Sequence, residues 1–141
     1  MSAATQVKPR LNITTSDSKT WIWVGRGVST LVILFSAFDG VTKVIKEPHV
    51  IAASAEFGFS ANQIVLIGVL MLACTVLYAI PRTTIFGAVL LTGYLGGAVG
   101  SNIRVGHPVF ECTFPVMFGV LAWGGIFVRE PRVRELIPFR N

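Results

Sequence analysis

Five ionisable residues of this chain lie beside the ends of long apolar segments, where they could bind a polar group or exchange protons. Asp39 and Lys43 are four residues apart, so a helix would place them on one face, where they can form an ion pair. Arg104, His107 and Glu111 surround the turn between the last two apolar segments. Carboxylates transfer protons and an arginine can orient a carbonyl oxygen, which suits a polar headgroup, a quinone ring or the loop of a partner. The same residues would also serve structural ion pairing where a helical bundle ends in water.

Four long apolar segments must position these residues. They cover residues 21–41, 61–80, 83–103 and 112–128, and each has the roughly 17–25 residues that a membrane-spanning helix needs. Hydrophobic residues make up 52% of the chain and charged residues only 13%, whereas a soluble domain carries about 25% charged residues. The sequence therefore predicts an all-α fold, a transmembrane antiparallel four-helix bundle in contact with the lipid bilayer.

The connections refine this architecture. A short interfacial helix is predicted between the first and second spans, within residues 42–60, ending at Gly58, with Ser60 or Asn62 capping the second span. Residues 80–83 form a tight turn, and Pro115 is expected in the first turns of the fourth span, where its missing N–H costs little. Residues 1–20 are expected to be a polar cytoplasmic segment, 21–128 the bundle, and 129–141 a basic cytoplasmic tail.

Lysine and arginine predict the orientation of the bundle. The side with both termini would carry eight of the 12, and the other side three, with one inside the first span; the eight are Lys8, Arg10, Lys19, Arg82, Arg129, Arg132, Arg134 and Arg140. Cytoplasmic loops are enriched in these residues, so we expect a multi-pass protein of the cell inner membrane with both termini cytoplasmic. The net charge of +5 is then explained by topology, and nucleic acid is not expected as a partner.

Small and polar residues within the spans make further predictions. Gly93 with Gly97, and Gly96 with Gly100, form two overlapping GxxxG patterns, which favour close helix packing within the bundle or against a partner subunit or a second copy. Arg26 lies inside the first span and is expected to extend its charge to the cytoplasmic interface.

The chain offers little for metal or covalent cofactor chemistry. Cys74 and Cys112 are predicted to lie about 15–20 Å apart in depth, too far for a disulfide. With His49 and His107 as the only histidines, no metal site is expected. No motif for a covalently bound cofactor is present, and a quinone is the one cofactor that the polar residues would suit. The catalytic residues, if there are any, stay unassigned.

Several of these stretches together resemble the DoxX-like family of small bacterial membrane proteins. They are FSAFDGVTKVIKEPHV at 35–50, TGYLGGAV at 92–99, RVGHPVF at 104–110 and the run 114–138, so the resemblance covers residues 21–138. It implies a four-helix membrane bundle. The positions that match the family's motifs are Asp39, Lys43, Arg104, His107 and Tyr94, the last a polar residue embedded in the third span.

The resemblance implies two classes of function. Founding relatives are subunits of a thiosulfate:quinone oxidoreductase, some bacterial members associate with redox and thiol-stress proteins, and a distant animal relative is an assembly chaperone for receptors. We therefore expect a small accessory or assembly subunit of a larger membrane complex, plausibly quinone-linked or redox, rather than an enzyme. The alternative is a quinone- or lipid-handling membrane oxidoreductase that uses the polar cluster, with Asp39 or Glu111 in proton transfer and Arg104 orienting a carbonyl. A small transporter is disfavoured because no internal repeat is found.

Overall fold

The computed structural model describes residues 15–136, which form six helices. They are α1 (Thr15–Val44), α2 (Pro48–Ala55), α3 (Ala61–Ala79), α4 (Thr84–Val105), α5 (Val109–Arg129) and α6 (Pro131–Leu136). Four of them are long and apolar enough to cross a membrane, with mean hydropathies from 1.4 to 2.0. The predicted all-α bundle of four spans, with a short helix between the first and second, is confirmed.

The four long helices form a ring in the order α1, α3, α4, α5. Helices α1 and α4 each pack against α3 and α5, but within residues 15–136 they do not pack against each other. They face one another across the central axis of the bundle. We call the end where α1 and α4 finish the distal end, and the end where α1 begins and α5 finishes the terminal end.

Large apolar side chains cover the outside of the ring. Phe38, Leu34 and Val120 have more than half of their surface exposed, at 71%, 64% and 66%. In water such a surface would be a strong aggregation liability, whereas in a bilayer it meets lipid tails. The composition and this surface together support contact with the lipid bilayer.

Tyr78 of α3 fills the centre of the terminal half of the bundle. Its side chain is 0% exposed, and its hydroxyl donates a hydrogen bond to the Ala122 carbonyl at 2.8 Å while lying 3.4 Å from Ser29 Oγ. Val32, Leu91 and other apolar side chains belong to the same buried core. A large side chain with a satisfied hydroxyl thus closes this half of the axis.

Glycines bring the helix backbones together, but not at the predicted positions. A Cβ at Gly87 would lie 2.6 Å from the backbone of Leu77, and one at Gly68 would lie 2.9 Å from the Gly40 carbonyl oxygen. The two GxxxG patterns contain Gly93, Gly96, Gly97 and Gly100. A Cβ at any of these four positions would meet nothing within 4 Å. The prediction that these four pack the bundle is wrong, because the neighbouring helices stay clear of them. Packing against a partner stays a prediction.

Ser60 caps α3 as predicted, but α2 ends at Ala55 and not at the predicted Gly58. The Ser60 hydroxyl accepts from the Gln63 N–H at 3.4 Å and the Gln63 side chain accepts from the Ser60 N–H at 2.7 Å, a capping box that begins α3. Helix α4 ends at Gly106, whose φ of 81° is readily adopted by glycine and whose N–H donates to the Asn102 carbonyl at 3.1 Å. The turn after Gly106 therefore returns the chain at the distal end, as expected.

Two details differ from the sequence-based expectation. Pro115 lies inside α5, beyond its first turn, so the Glu111 carbonyl lacks its usual intrahelical donor. The segment after Arg129 is not simply a basic tail, since α6 buries Val133 and the Arg134 guanidinium donates to two carbonyls near the end of α5 at 2.8 and 2.7 Å. The predictions for residues 1–14 and 137–141 lie outside the described residues.

Candidate functional site

A cavity of about 490 Å³ opens inside the distal half of the bundle. Tyr78 closes the axis in the terminal half, but in the distal half α4 turns Gly93, Gly97 and Ala98 towards the cavity. Positions 93 and 97 carry no side chain, and a Cβ at either would meet nothing. Gly93 and Gly97, which the sequence pattern assigned to helix packing, therefore leave open space beside the cavity, and both positions are exposed.

Five phenylalanines line the cavity, among aliphatic side chains and glycines. Phe35 of α1 and Phe118 of α5 have ring centroids 4.9 Å apart, and Phe35 and Phe114 have centroids 5.8 Å apart. Phe57 and Phe59, from the segment between α2 and α3, are stacked at 6.3 Å and line the same space. Such rings offer a flat, apolar surface on which another ring can stack.

A small polar group also lines the cavity. Lys43 Nζ lies 2.5 Å from Asp39 Oδ1, so the ion pair expected from the four-residue spacing is present. Tyr94 of α4 lines the cavity, and within the described chain its hydroxyl has no hydrogen-bond partner. Asn102 donates to the Ala98 carbonyl at 3.1 Å, which leaves its amide oxygen available. Both donors and acceptors are thus offered to a molecule in the cavity.

The predicted cluster of five ionisable residues divides into two. Asp39 and Lys43 line the cavity, whereas Arg104, His107 and Glu111 do not. Glu111 forms an ion pair with His107 Nδ1 and lies on the exposed end of α5. Arg104 does not pair with Asp39, because its guanidinium binds the Phe57 carbonyl in the segment after α2 instead.

Arg104 and His107 hold the segment that covers the distal end. Arg104 donates to the Phe57 carbonyl at 2.6 Å, and His107 Nε2 lies 3.6 Å from a carboxylate oxygen of Glu56. The imidazole ring also contacts the Phe57 ring, with centroids 5.0 Å apart. These two residues therefore act on the cavity through the position of Phe57, and do not line it themselves.

Four further residues, two charged and two cysteines, lie outside the polar group of the cavity. Glu47 caps α2, where its carboxylate accepts from the Val50 N–H at 3.0 Å. The Arg26 guanidinium lies 5.7 Å from the centroid of the Trp23 ring, on the exposed side of α1. Cys74 is buried in the core and Cys112 is partly buried, and both are free thiols.

The aromatic wall is the part of the site that sequence reasoning missed. The pattern Phe57-Gly58-Phe59 after a predicted interfacial helix was a usable signal, since Gly58 has a φ of 76° and turns the chain between the two rings. Phe114 and Phe118 are four residues apart and share a face of α5. Their convergence with Phe35 depends on how the helices are rotated, which the spacing does not determine.

Comparison with models of known protein families gives a match over most of the chain. The sequence model of the DoxX-like family matches residues 27–125, a range that includes all four spans except their outermost turns. It contains Asp39, Lys43, Tyr94 and the segment that carries Phe57. No curated protein and no solved structure matches the chain.

Proposed function

The chain belongs to the DoxX-like family, and from this premise we propose that its transmembrane bundle binds a neutral, ring-bearing molecule from the membrane, of the chemical class of the quinones. One observation carries the proposal, the cavity of about 490 Å³ with aromatic walls and a few polar groups. Small-molecule sites are typically concave spaces of about 300–1,000 Å³ with a mainly apolar lining and a few placed polar groups. The cavity fits that description.

The polar groups suit both forms of a quinone. A quinone carbonyl can accept from the Tyr94 hydroxyl or the Lys43 ammonium, and a quinol hydroxyl can donate to Asp39 or to the Asn102 amide oxygen. The proposal concerns binding alone. Glu111 and Arg104, which the sequence favoured for proton transfer and for orienting a carbonyl, take no direct part because they do not line the cavity.

A phosphate-bearing lipid headgroup fits this site less well. Among the described residues that line the cavity, Lys43 is the one cation, and Asp39 already neutralises it. An anion in the cavity would have to compete with that carboxylate and would lose most of its hydration in an apolar space. A neutral ring meets neither penalty.

The test uses two glycines of α4 that differ in location but not in available space. A Cβ at Gly97 or Gly100 meets nothing within 4 Å, so leucine at either position should leave the bundle folded. Gly97 lines the cavity and Gly100 does not. We predict that Gly97→Leu weakens the binding of duroquinone, a ring without a tail, at least tenfold in titration calorimetry of the purified chain, while Gly100→Leu leaves it unchanged.

Two results would contradict the proposal. One is equal duroquinone affinity in wild type and Gly97→Leu, which would place any binding outside the cavity. The other is a chain that does not bind duroquinone but releases a bound molecule when dihexanoyl phosphatidylglycerol is added. That result would identify the ligand as an anionic lipid. Circular dichroism and thermal melting of both variants establish that they are folded.

A second candidate function is an accessory or assembly subunit of a larger membrane complex. The observation that favours it is the outer face of α4, where Gly96 and Gly100 leave a small-residue surface that nothing in the described chain covers. Purification in mild detergent with mass spectrometry of co-migrating proteins tests it. A stoichiometric complex lost in Gly100→Leu supports this candidate, and a lone chain argues against it.

A further inference from the structure

An apolar groove of about 780 Å³ runs along the outer surface between α4 and α5. Its floor includes Gly96 of α4 with Gly119 and Gly124 of α5. Its lining extends along α5 from Pro115 to Phe127, a rise of about 18 Å at 1.5 Å per residue. The groove therefore runs from beside the cavity towards the terminal end, along the direction in which lipid tails lie.

The groove and the cavity share a wall. Leu95 and Pro115 line both spaces. Leu95 is held from the α5 side by Gly119, where a Cβ would lie 3.6 Å from Leu95 Cδ1. Pro115 has no N–H to bind the carbonyl one turn earlier, which weakens the ladder of α5 at this level. Leu95 and Pro115 thus separate the two spaces, and a chain that joins them at this level must displace the Leu95 side chain.

The lining of the groove suits a hydrocarbon chain. Its two polar side chains satisfy one another, since Trp123 Nε1 donates to Thr92 Oγ1 at 2.8 Å and Thr92 Oγ1 donates to the Ala88 carbonyl at 2.7 Å. Every other lining residue is apolar or glycine, and none is charged. A polar chain would find no partner here.

We propose that this groove holds the hydrocarbon tail of the molecule whose ring occupies the cavity, with the tail passing between α4 and α5 at Leu95 and Pro115. This inference rests on the proposed function and narrows its ligand to a neutral ring with a long alkyl or prenyl chain. The wall that the groove shares with the cavity favours a tail over a second protein helix. A helix would cover the groove without passing Leu95 and Pro115 into the cavity. It also accounts for the glycines on both sides of the groove.

The tail should affect where the ligand lies more than how tightly it binds. Lipid already solvates a hydrocarbon chain, so moving the chain into the groove gains packing contacts but little hydrophobic free energy. The test must therefore report the location of the tail. Trp123 lies in the groove, about 12 Å along α5 from Pro115, and can serve as a fluorescent reporter once Trp21 and Trp23 are replaced by phenylalanine.

The experiment compares decylubiquinone with 10-bromodecylubiquinone, which differ by a heavy atom at the end of the tail. In nanodiscs, the brominated probe should quench Trp123 at least twofold more than the unbrominated one, saturating near one probe per chain. Gly96→Leu, which fills the groove, should remove this extra quenching. Gly100→Leu, on the same helix but outside the groove, should retain it.

The outcomes separate this inference from the proposed function. Equal quenching of Trp123 by the two probes in the wild type overturns the tail assignment, as does extra quenching by the brominated probe that persists in Gly96→Leu. The proposed function still stands in either case if Gly97→Leu weakens duroquinone binding. If the wild type does not bind duroquinone, both the tail assignment and the proposed function are overturned. The last outcome is a dimer in the wild type and a monomer in Gly96→Leu by light scattering, with quenching by both probes unchanged. That result assigns the groove to a second copy of the chain and overturns the tail assignment.

Discussion

The carboxylate of Asp39 and the ammonium of Lys43 face each other in a cavity whose other walls are mostly apolar. Their side chains are 33% and 17% exposed, so the pair is intermediate between a surface pair and a buried one. An exposed pair contributes about 0–1 kcal/mol, whereas removing one partner of a buried pair costs about 3–5 kcal/mol because a charge is left unpaired. The effect of mutating Asp39 should fall between these limits.

We predict that Asp39→Asn lowers the melting temperature of the chain in detergent, because the Lys43 ammonium then lacks its partner. The double variant Asp39→Asn/Lys43→Gln should recover part of the loss. Glu111→Gln is the control, since it removes a carboxylate that is 49% exposed and should change stability much less. A double variant no more stable than Asp39→Asn would show that the stranded charge is not the cause.

Helix packing in this bundle depends on glycines that no GxxxG pattern identifies. The pattern shows that a close approach is permitted on one face of α4, but not that a neighbouring helix uses it. Spans that face lipid are apolar on every side, so the sequence has no polar face to show how each helix is rotated. The existence of four spans was therefore predictable, and the position of Gly93 and Gly97 beside the cavity was not.

Gly87, which lies outside the GxxxG patterns, matters more for helix packing than Gly97, which lies within them. Gly87→Ala should destabilise the bundle by about 1–3 kcal/mol, because the new methyl group would press on the backbone at Leu77 and Tyr78. Gly97→Ala should be neutral or stabilising by about 0.5–1 kcal/mol, since alanine favours the helix and meets no neighbour. Thermal unfolding in one detergent compares the two, and equal losses would contradict the packing described here.

At the distal end, a contact within one helix was predictable and a contact between distant parts of the chain was not. The Asp39–Lys43 pair lies within one helix, and its four-residue spacing was enough to predict it. The bond from Arg104 to the Phe57 carbonyl joins residues 47 positions apart, and depends on how the segment after α2 folds over the bundle. The candidate site was thus predicted at its ion pair and missed at its aromatic cover.

The bundle as a whole has two ends of different character. The distal end carries the cavity and its cover, and among the described residues the terminal end carries most of the basic ones. The charge asymmetry predicts that the terminal end faces the cytoplasm. The proposed ligand would then be held in the outer half of the membrane, with its tail directed inward along α4 and α5.

We predict that single cysteines report this orientation in intact cells, in a chain whose two native cysteines are replaced. Ala53→Cys on α2 should react with a membrane-impermeant maleimide added outside, and Glu135→Cys on α6 should not. Both positions are exposed in the folded chain, so a difference in labelling reflects the side of the membrane. Labelling of Glu135→Cys but not of Ala53→Cys would invert the topology.

The most direct test of the account asks whether a ring enters the cavity. A chain with its three tryptophans replaced by phenylalanine receives one new reporter, Phe114→Trp in the cavity wall or Phe86→Trp on the outer surface of α4; the native rings are 43% and 59% exposed. Duroquinone quenches tryptophan on contact, so we predict saturable quenching of Phe114→Trp that Gly97→Leu abolishes, and only weak, unsaturable quenching of Phe86→Trp. Equal, unsaturable quenching of the two reporters would contradict a ring-binding site within the bundle.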